Sequence, residues 1–202
     1  VLSIYQLKSR FQSLLRPCVE KFYNANITAN QVTLFACIGS IFIALIVSYF
    51  IEYHWIFFLI PVWMFIRMAL NAIDGMLARE YHQKSNLGAY LNEMADVISD
   101  CALLLVFIQV PSVYTGLVIL IVLLSFLTEY SGVLGLLIGA SRRYDGPMGK
   151  SDRAFIFSLI SLGIATGLLP LNWINTLLGI IIFLLIWTTV NRIRKGLQEA
   201  KI

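Results

Sequence analysis

The stretch NAIDGMLAREYHQKSNLGAYLNEMADVISD, residues 71–100, governs how the chain is read. It gathers five acids (Asp74, Glu80, Glu93, Asp96 and Asp100) and three asparagines into a protein that is 59% hydrophobic and only 13% charged. An ionisable group at membrane depth is costly unless it faces a cavity or a partner, so this concentration marks a functional site by default. The remaining sequence reads as scaffold for the segment.

On both sides lie apolar runs of about 20 residues, the length a helix needs to cross a bilayer. With 202 residues and a mean hydropathy of +0.82, the expected fold class is an all-α integral membrane protein forming one domain over 1–202. Residues 3–23 place Ile4, Leu7, Phe11, Leu14, Leu15, Cys18 and Phe22 at helical spacing, with Lys8, Arg10, Arg16 and Lys21 elsewhere around the wheel. That pattern is an interfacial amphipathic helix with a candidate bend at Pro17. The opening VLSIYQLKSRFQ lacks the short apolar core of a signal peptide and is kept as mature structure. Thr28 and Gln31 then spell a capping box, so the first of six spans runs from about 28 to 50. The others are expected near 55–80, 86–110, 113–140, 152–168 and 172–191, with Pro61 as a candidate kink and Gly146, Pro147 and Pro170 as breaks.

The basic residues test this layout. Every Lys and Arg except Arg67 falls in the amino-terminal helix, the 79–84 connection, the 142–153 region or the carboxy-terminal tail, and the alternate connections carry none. The positive-inside rule then puts both termini and the 80–87 loop in the cytoplasm. The net charge of +4 therefore suits anionic headgroups, and no nucleic-acid partner is expected. Arg67, in mid-helix, needs a carboxylate, either Glu129 at similar depth or Asp74 below it. Cys18, Cys37 and Cys101 have no metal-like spacing and read as free thiols. His54 and His82 are isolated interfacial residues, and Ser131, Gly135 and Gly139 form a small-residue packing stripe.

Asn71 and Asp74 share one face of the second span, while Asn92, Asp96 and Asp100 share one face of the third. The two spans are antiparallel across a short loop, so these faces can meet, and Gly75, Ala78 and Gly88 leave room for a ligand against the backbone. Oxygen ligands from two helices suit a hard cation such as Mg²⁺ or Mn²⁺, and a divalent ion beside Arg79 suits a pyrophosphate.

The same residues resemble the signature of the CDP-alcohol phosphatidyltransferase family, D-x2-D-G-x2-A-R-x8-G-x3-D-x3-D. Here it reads Asn71, Asp74, Gly75, Ala78, Arg79, Gly88, Asn92 and Asp96, matching at six of eight positions with the spacing intact. ITANQVT resembles the family's segment opening the first span, with Ala29 where proline is usual. The resemblance implies an enzyme of phospholipid biosynthesis. It moves a phosphatidyl or other substituted phosphoryl group from a CDP-linked lipid donor, CDP-diacylglycerol foremost, to a small alcohol acceptor and releases CMP. It implies Asp74 with Asn71, Asn92 and Asp96 as the metal set, Asp96 as the general base, Gly75 and Ala78 bordering the cytidine, and Arg79 on the donor phosphates. A homodimer is also implied. The small size and absence of extra domains fit a bacterial inner membrane, with the active site cytoplasmic.

Two signature acids are amides here, Asn71 and Asn92. An amide oxygen binds a hard cation with less charge and does not bridge two ions, so one weaker metal site is expected instead of two. Glu93 and Asp100 are the neighbours that could restore a ligand. The alternative function is a catalytically silent relative that binds lipid or nucleotide, or serves as a membrane subunit. A transporter is disfavoured by apolar outer halves such as IFFLIPVWMF. In SRRYDGPMGKSDR, residues 141–153, GPMGKS is not a nucleotide P-loop, because Tyr144 stands where that motif needs glycine. Lys150 and Arg153 open the fifth span, where free backbone amides favour an anion, and with Arg142 and Arg143 they are candidates to receive a phosphorylated or acidic acceptor.

Overall fold

A computed structural model describes residues 4–200, with side-chain surroundings from Phe11 onward. The described residues form helices and loops only, in the order α1 (Ile4–Asn24), α2 (Ala29–Tyr49), α3 (Leu59–Glu80), α4 (Asn86–Leu105), α5 (Thr115–Leu134), α6 (Lys150–Ala165) and α7 (Leu171–Glu199). Short 3₁₀ turns precede α3 (His54–Phe58) and follow α4 (Val106–Gln109) and α5 (Gly135–Ile138). Four segments are long and apolar enough to cross a membrane: Ala29–Tyr49, His54–Glu80, Thr115–Ile138 and Leu171–Glu199. The interfacial reading of 3–23 depends partly on residue 3 and the side chains of Ile4, Leu7, Lys8 and Arg10, which lie outside the described residues, as does Lys201.

Local chemistry accounts for the helix ends. The capping box is formed: the Thr28 amide donates to Gln31 Oε1 at 2.8 Å and the Gln31 amide to Thr28 Oγ1 at 3.3 Å. Asn26, at φ 57°, turns the chain from α1 to α2, a left-handed position that asparagine tolerates. α1 continues through Pro17. Pro61 is the third residue of α3, within the first turn, where a missing N–H removes no intrahelical bond. α7 extends past the expected end near 191 because its last turns are held: Glu199 accepts from the Ser141 amide at 3.0 Å, and Lys195 pairs with Asp145 at 2.9 Å.

The chain forms two compact units, one from the amino-terminal part to Phe42 with Phe65–Ser99, the other from Ile43–Met64 with Asp100 onward. In the first, α1 is fixed to the end of α3 by Arg16–Glu80 at 3.0 Å and by the Tyr23 and Tyr81 rings, with centroids 4.3 Å apart. Buried Val32, Ala36, Ile73, Met76 and Leu77 form its interior. In the second, α5 packs along α7. The rings of Phe57, Phe107 and Phe157 pack in series, tilted and then edge-to-face, with centroids 5.8 and 5.1 Å apart, within an apolar core that includes Ile60, Leu103, Leu178 and Leu185. The side chains left exposed are largely apolar, among them Phe35, Ile38, Phe42, Leu45, Phe65, Leu123, Phe126 and Phe183, as expected of helices that face lipid.

The loop before α6 is locked by close approach. Gly146 has φ 120°, and a Cβ there would lie 2.7 Å from Thr188 Cα, while the Met148 amide donates to Thr188 Oγ1 at 2.9 Å. Gly139 also has positive φ, at 79°, but a Cβ there would meet nothing within 4 Å. Gly146→Ala should therefore destabilise by about 3 kcal/mol or more, from backbone strain plus overpacking. Gly139→Ala should lose only about 1–2 kcal/mol. Thermal unfolding of the detergent-solubilised variants checks the difference.

Candidate active site

The helices of the first unit border an open cavity of about 510 Å³ lined by α2, the two facing ends of α3 and α4, and the loop between them. Asn71, Asp74, Gly75, Ala78 and Arg79 come from α3, and Gly88 and Asn92 from α4. Seven of the sequence-predicted site residues thus share one cavity.

The polar faces meet as their spacing requires. Asn71 Nδ2 donates to Asp96 Oδ1 at 3.2 Å, joining the first and last signature positions across the α3–α4 hairpin. Arg67, expected against Glu129 or Asp74, donates through Nη2 to the Asp96 backbone oxygen at 3.0 Å and to Oδ1 at 3.4 Å. The carboxylate of Asp96 is thereby held by a cation and an amide. Asp74 is buried and accepts from Thr33 Oγ1 at 2.7 Å.

Two signature glycines are positions of close approach. A Cβ on Gly75 would stand 3.1 Å from Arg79 Nη1, so the guanidinium folds back over the glycine one turn earlier on α3. A Cβ on Gly88 would stand 2.8 Å from Asn30 Oδ1 and 3.0 Å from Ser85 Oγ. Side chains at either place would push polar groups that border the cavity.

Sequence reasoning did not single out Asn30, Thr33, Gln83, Lys84 or Ser85 as site residues. Gln83 Oε1 accepts from the Ala29 amide at 2.7 Å, tying the start of α2 to the α3–α4 loop, and Ser85 Oγ accepts from the Gly88 amide at 2.9 Å. His82 sits at φ 54° in this loop. The available signal was the polar TANQVT run opening an otherwise apolar helix, for which capping alone is a sufficient explanation.

The donor set is chemically suited to a divalent ion. The carboxylates of Asp74 and Asp96 and the amide oxygens of Asn71 and Asn92 are hard oxygen ligands of the kind such ions take. Among the described residues no three His, Cys, Asp or Glu side chains come together as a metal group, and two of the signature positions carry asparagine.

The cationic residues predicted to receive an acceptor belong to the second unit. Arg153 is 3% exposed and donates through Nη2 to Asp100 Oδ2 at 2.7 Å and Glu129 Oε1 at 3.0 Å. Glu129 Oε2 also accepts from Arg192 Nη1 at 3.3 Å and Arg142 Nη2 at 3.5 Å. Asp100, considered as a replacement metal ligand, is thus engaged by Arg153. α6 begins at Lys150 as expected, and Asp152 caps it, accepting from the Gly149 amide at 2.9 Å.

Residues 26–194 match the family model of the CDP-alcohol phosphatidyltransferases. The chain belongs to the CDP-alcohol phosphatidyltransferase family. Its sequence is 46% identical to the inner membrane protein YnbA of Escherichia coli (strain K12), over 97% of each chain. It is 31% identical to an uncharacterized protein of Aquifex aeolicus (strain VF5), over 47% of this chain and 46% of that protein. In fold it resembles the phosphatidylinositol phosphate synthase PgsA1 of Mycobacterium tuberculosis, crystallised with manganese and citrate. The TM-score is 0.70 with 18% identity, covering 89% of this chain and 87% of that one.

The loop from 141 to 149 is anchored to α7 by charge. Arg143 donates to Asp145 at 2.9 Å and pairs with Glu199. The Asp145 hydrogen bond holds the Arg143 guanidinium above its usual range. Burial works to raise the Asp145 carboxyl, but hydrogen bonds from Lys195 and Arg143 outweigh it and hold the group below the ordinary aspartate range. Because its folded pKa is depressed, this carboxylate contributes stability that is fully present above the ordinary aspartate value. The contribution is lost as pH falls through the lowered folded value. Limited proteolysis across 141–149 should accelerate on acidification through that window, and Asp145→Asn should be cut readily at neutral pH as well.

Proposed function

We propose that the protein is an inner-membrane phosphotransferase that moves a phosphatidyl or related substituted phosphoryl group from a CDP-linked lipid, CDP-diacylglycerol foremost, to a small alcohol. In this reading α1 lies in the interface and six helices cross the bilayer, α4 and α6 joining the four long apolar segments. Both termini and the cavity face the cytoplasm, and the protein is a homodimer. The excess of Lys and Arg in alternate connections supports that orientation, and the name of the Escherichia coli relative supports the membrane.

The observation that carries the activity is the single cavity joining Asp74, Gly75, Ala78, Arg79 and Gly88, with Asp96 held by Asn71. Gly75 and Ala78 border the cytidine, and Arg79, which lies over Gly75, supplies with Lys84 the positive charge for the donor pyrophosphate. Asp74, Asp96 and the amide oxygens of Asn71 and Asn92 would hold one Mg²⁺ or Mn²⁺, which supplies Lewis-acid polarisation of the phosphates. Asp96 takes the hydroxyl proton of the acceptor as general base. The acceptor oxygen bonds to the lipid-side phosphorus as the bond from that phosphorus to the bridging oxygen breaks, and CMP departs with the electron pair. Lys150, Arg153 and Arg142 form the acceptor side.

A second reading, a catalytically silent relative that binds lipid or nucleotide, is favoured by one observation: amides replace two signature acids, leaving no three-acid group among the described residues. CMP release from CDP-diacylglycerol, assayed with Mg²⁺ or Mn²⁺ and a panel of alcohols, separates the two. The enzyme reading expects CMP with at least one acceptor, suppressed by chelator and reduced about 10²–10⁴-fold in Asp96→Asn. Asn71→Asp combined with Asn92→Asp should tighten the metal requirement to lower cation concentrations. Activity only in that restored variant would establish the silent reading. Thr33→Val, which strips the hydroxyl from buried Asp74, should destabilise by about 1–3 kcal/mol, read by thermal unfolding in detergent.

A further inference from the structure

Three guanidiniums from three parts of the second unit converge on one carboxylate. Glu129 of α5 accepts from Arg142 of the following loop at 3.5 Å, Arg153 of α6 at 3.0 Å and Arg192 of α7 at 3.3 Å. Arg192 also donates to the Thr128 backbone oxygen at 2.6 Å, which fixes its head group beside Glu129. Arg153, Arg192 and Glu129 are all more than nine-tenths buried. With Asp100 on Arg153, the cluster sets three positive charges against two negative ones. A planar oxyanion held by several arginine forks is how proteins recognise the phosphate or carboxylate of a ligand. In this chain the oxyanion belongs to the protein.

We infer that Glu129 is a built-in anion filling a tri-arginine site, and that it sets acceptor specificity towards uncharged alcohols and against phosphorylated ones. The inference rests on the proposal that the acceptor binds against Arg142, Arg153 and Lys150. A phosphorylated acceptor would have to take these guanidiniums from Glu129, leaving a buried carboxylate without its cations, and that loss is severe in a medium of low dielectric. A neutral polyol needs no such exchange, because its hydroxyls can share donors that already have a partner. Specificity of this kind works by excluding the wrong ligand more than by adding contacts to the right one.

The test uses the full chain in detergent. Thermal unfolding is followed during titration with inorganic phosphate against chloride at equal ionic strength. CMP release is compared for glycerol against sn-glycerol 3-phosphate and for inositol against inositol 1-phosphate. Wild type should show no saturable shift with phosphate and should use the uncharged alcohol of a pair about tenfold or more better, the scale of one charge-assisted pair. Glu129→Gln keeps the shape and vacates the charge. It should gain a saturable stabilisation by phosphate and move the acceptor preference towards the phosphorylated alcohol by a similar factor.

A saturable phosphate shift in wild type, or a wild-type preference for the phosphorylated acceptor, overturns the inference. So does a folded Glu129→Gln that ignores phosphate, since the cluster is then only a pin between helices. Should that variant not fold, the wild-type titration and acceptor comparison decide alone. If none of the acceptors gives CMP, the proposed activity fails, and the phosphate titration still judges the anion site.

Discussion

A charge buried in an apolar helical protein must find an opposite charge or a fan of donors, and that constraint orders this molecule. Arg67 is answered by Asp96, Arg153 by Asp100 and Glu129, and Arg192 by Glu129 and a backbone oxygen. Each pairing joins different helices, so each charge also fixes how its helices register. Removing one partner from such a pair leaves an uncompensated charge, typically a loss of about 3–5 kcal/mol.

The α3–α4 hairpin applies the constraint to a site. Its two signature acids are each held: Asp74 by Thr33, Asp96 by Asn71 and Arg67. Asparagine at 71 changes what that position does. A carboxylate there would repel Asp96 unless a cation stood between them, whereas the amide donates directly to Asp96 and needs none. The hairpin is thus preassembled with less negative charge than the family signature implies. Small residues complete the arrangement, since Gly75 and Gly88 let Arg79 and Asn30 lie against the helix backbone at the cavity edge.

Much of this was legible beforehand. The capping box at Thr28 and Gln31, the break at Gly146–Pro147 and all seven helices followed from local chemistry and apolar periodicity. The differences lie at helix ends. The last turns of the third and fourth predicted spans tighten into 3₁₀ turns, and α7 outruns its apolar run because distant charges hold its polar end. Thr33, Gln83 and Ser85 were missed as site residues because a threonine in an apolar helix, or a glutamine in a loop, carries no mark of what lies opposite.

The sequence by itself determined which residues could carry the chemistry. Helical spacing puts Asn71 with Asp74, and Asn92 with Asp96, on common faces wherever the helices go, and the signature spacing led to the family. Only the tertiary structure decided the partners. It directed Arg67 to Asp96, gathered Arg142, Arg153 and Arg192 on Glu129, and turned Asp100 to Arg153. The physical reason is that periodicity fixes an angle around one helix axis. Which charge meets which depends on depth, approach and side-chain reach between helices, and those are settled only when all the buried charges are satisfied together.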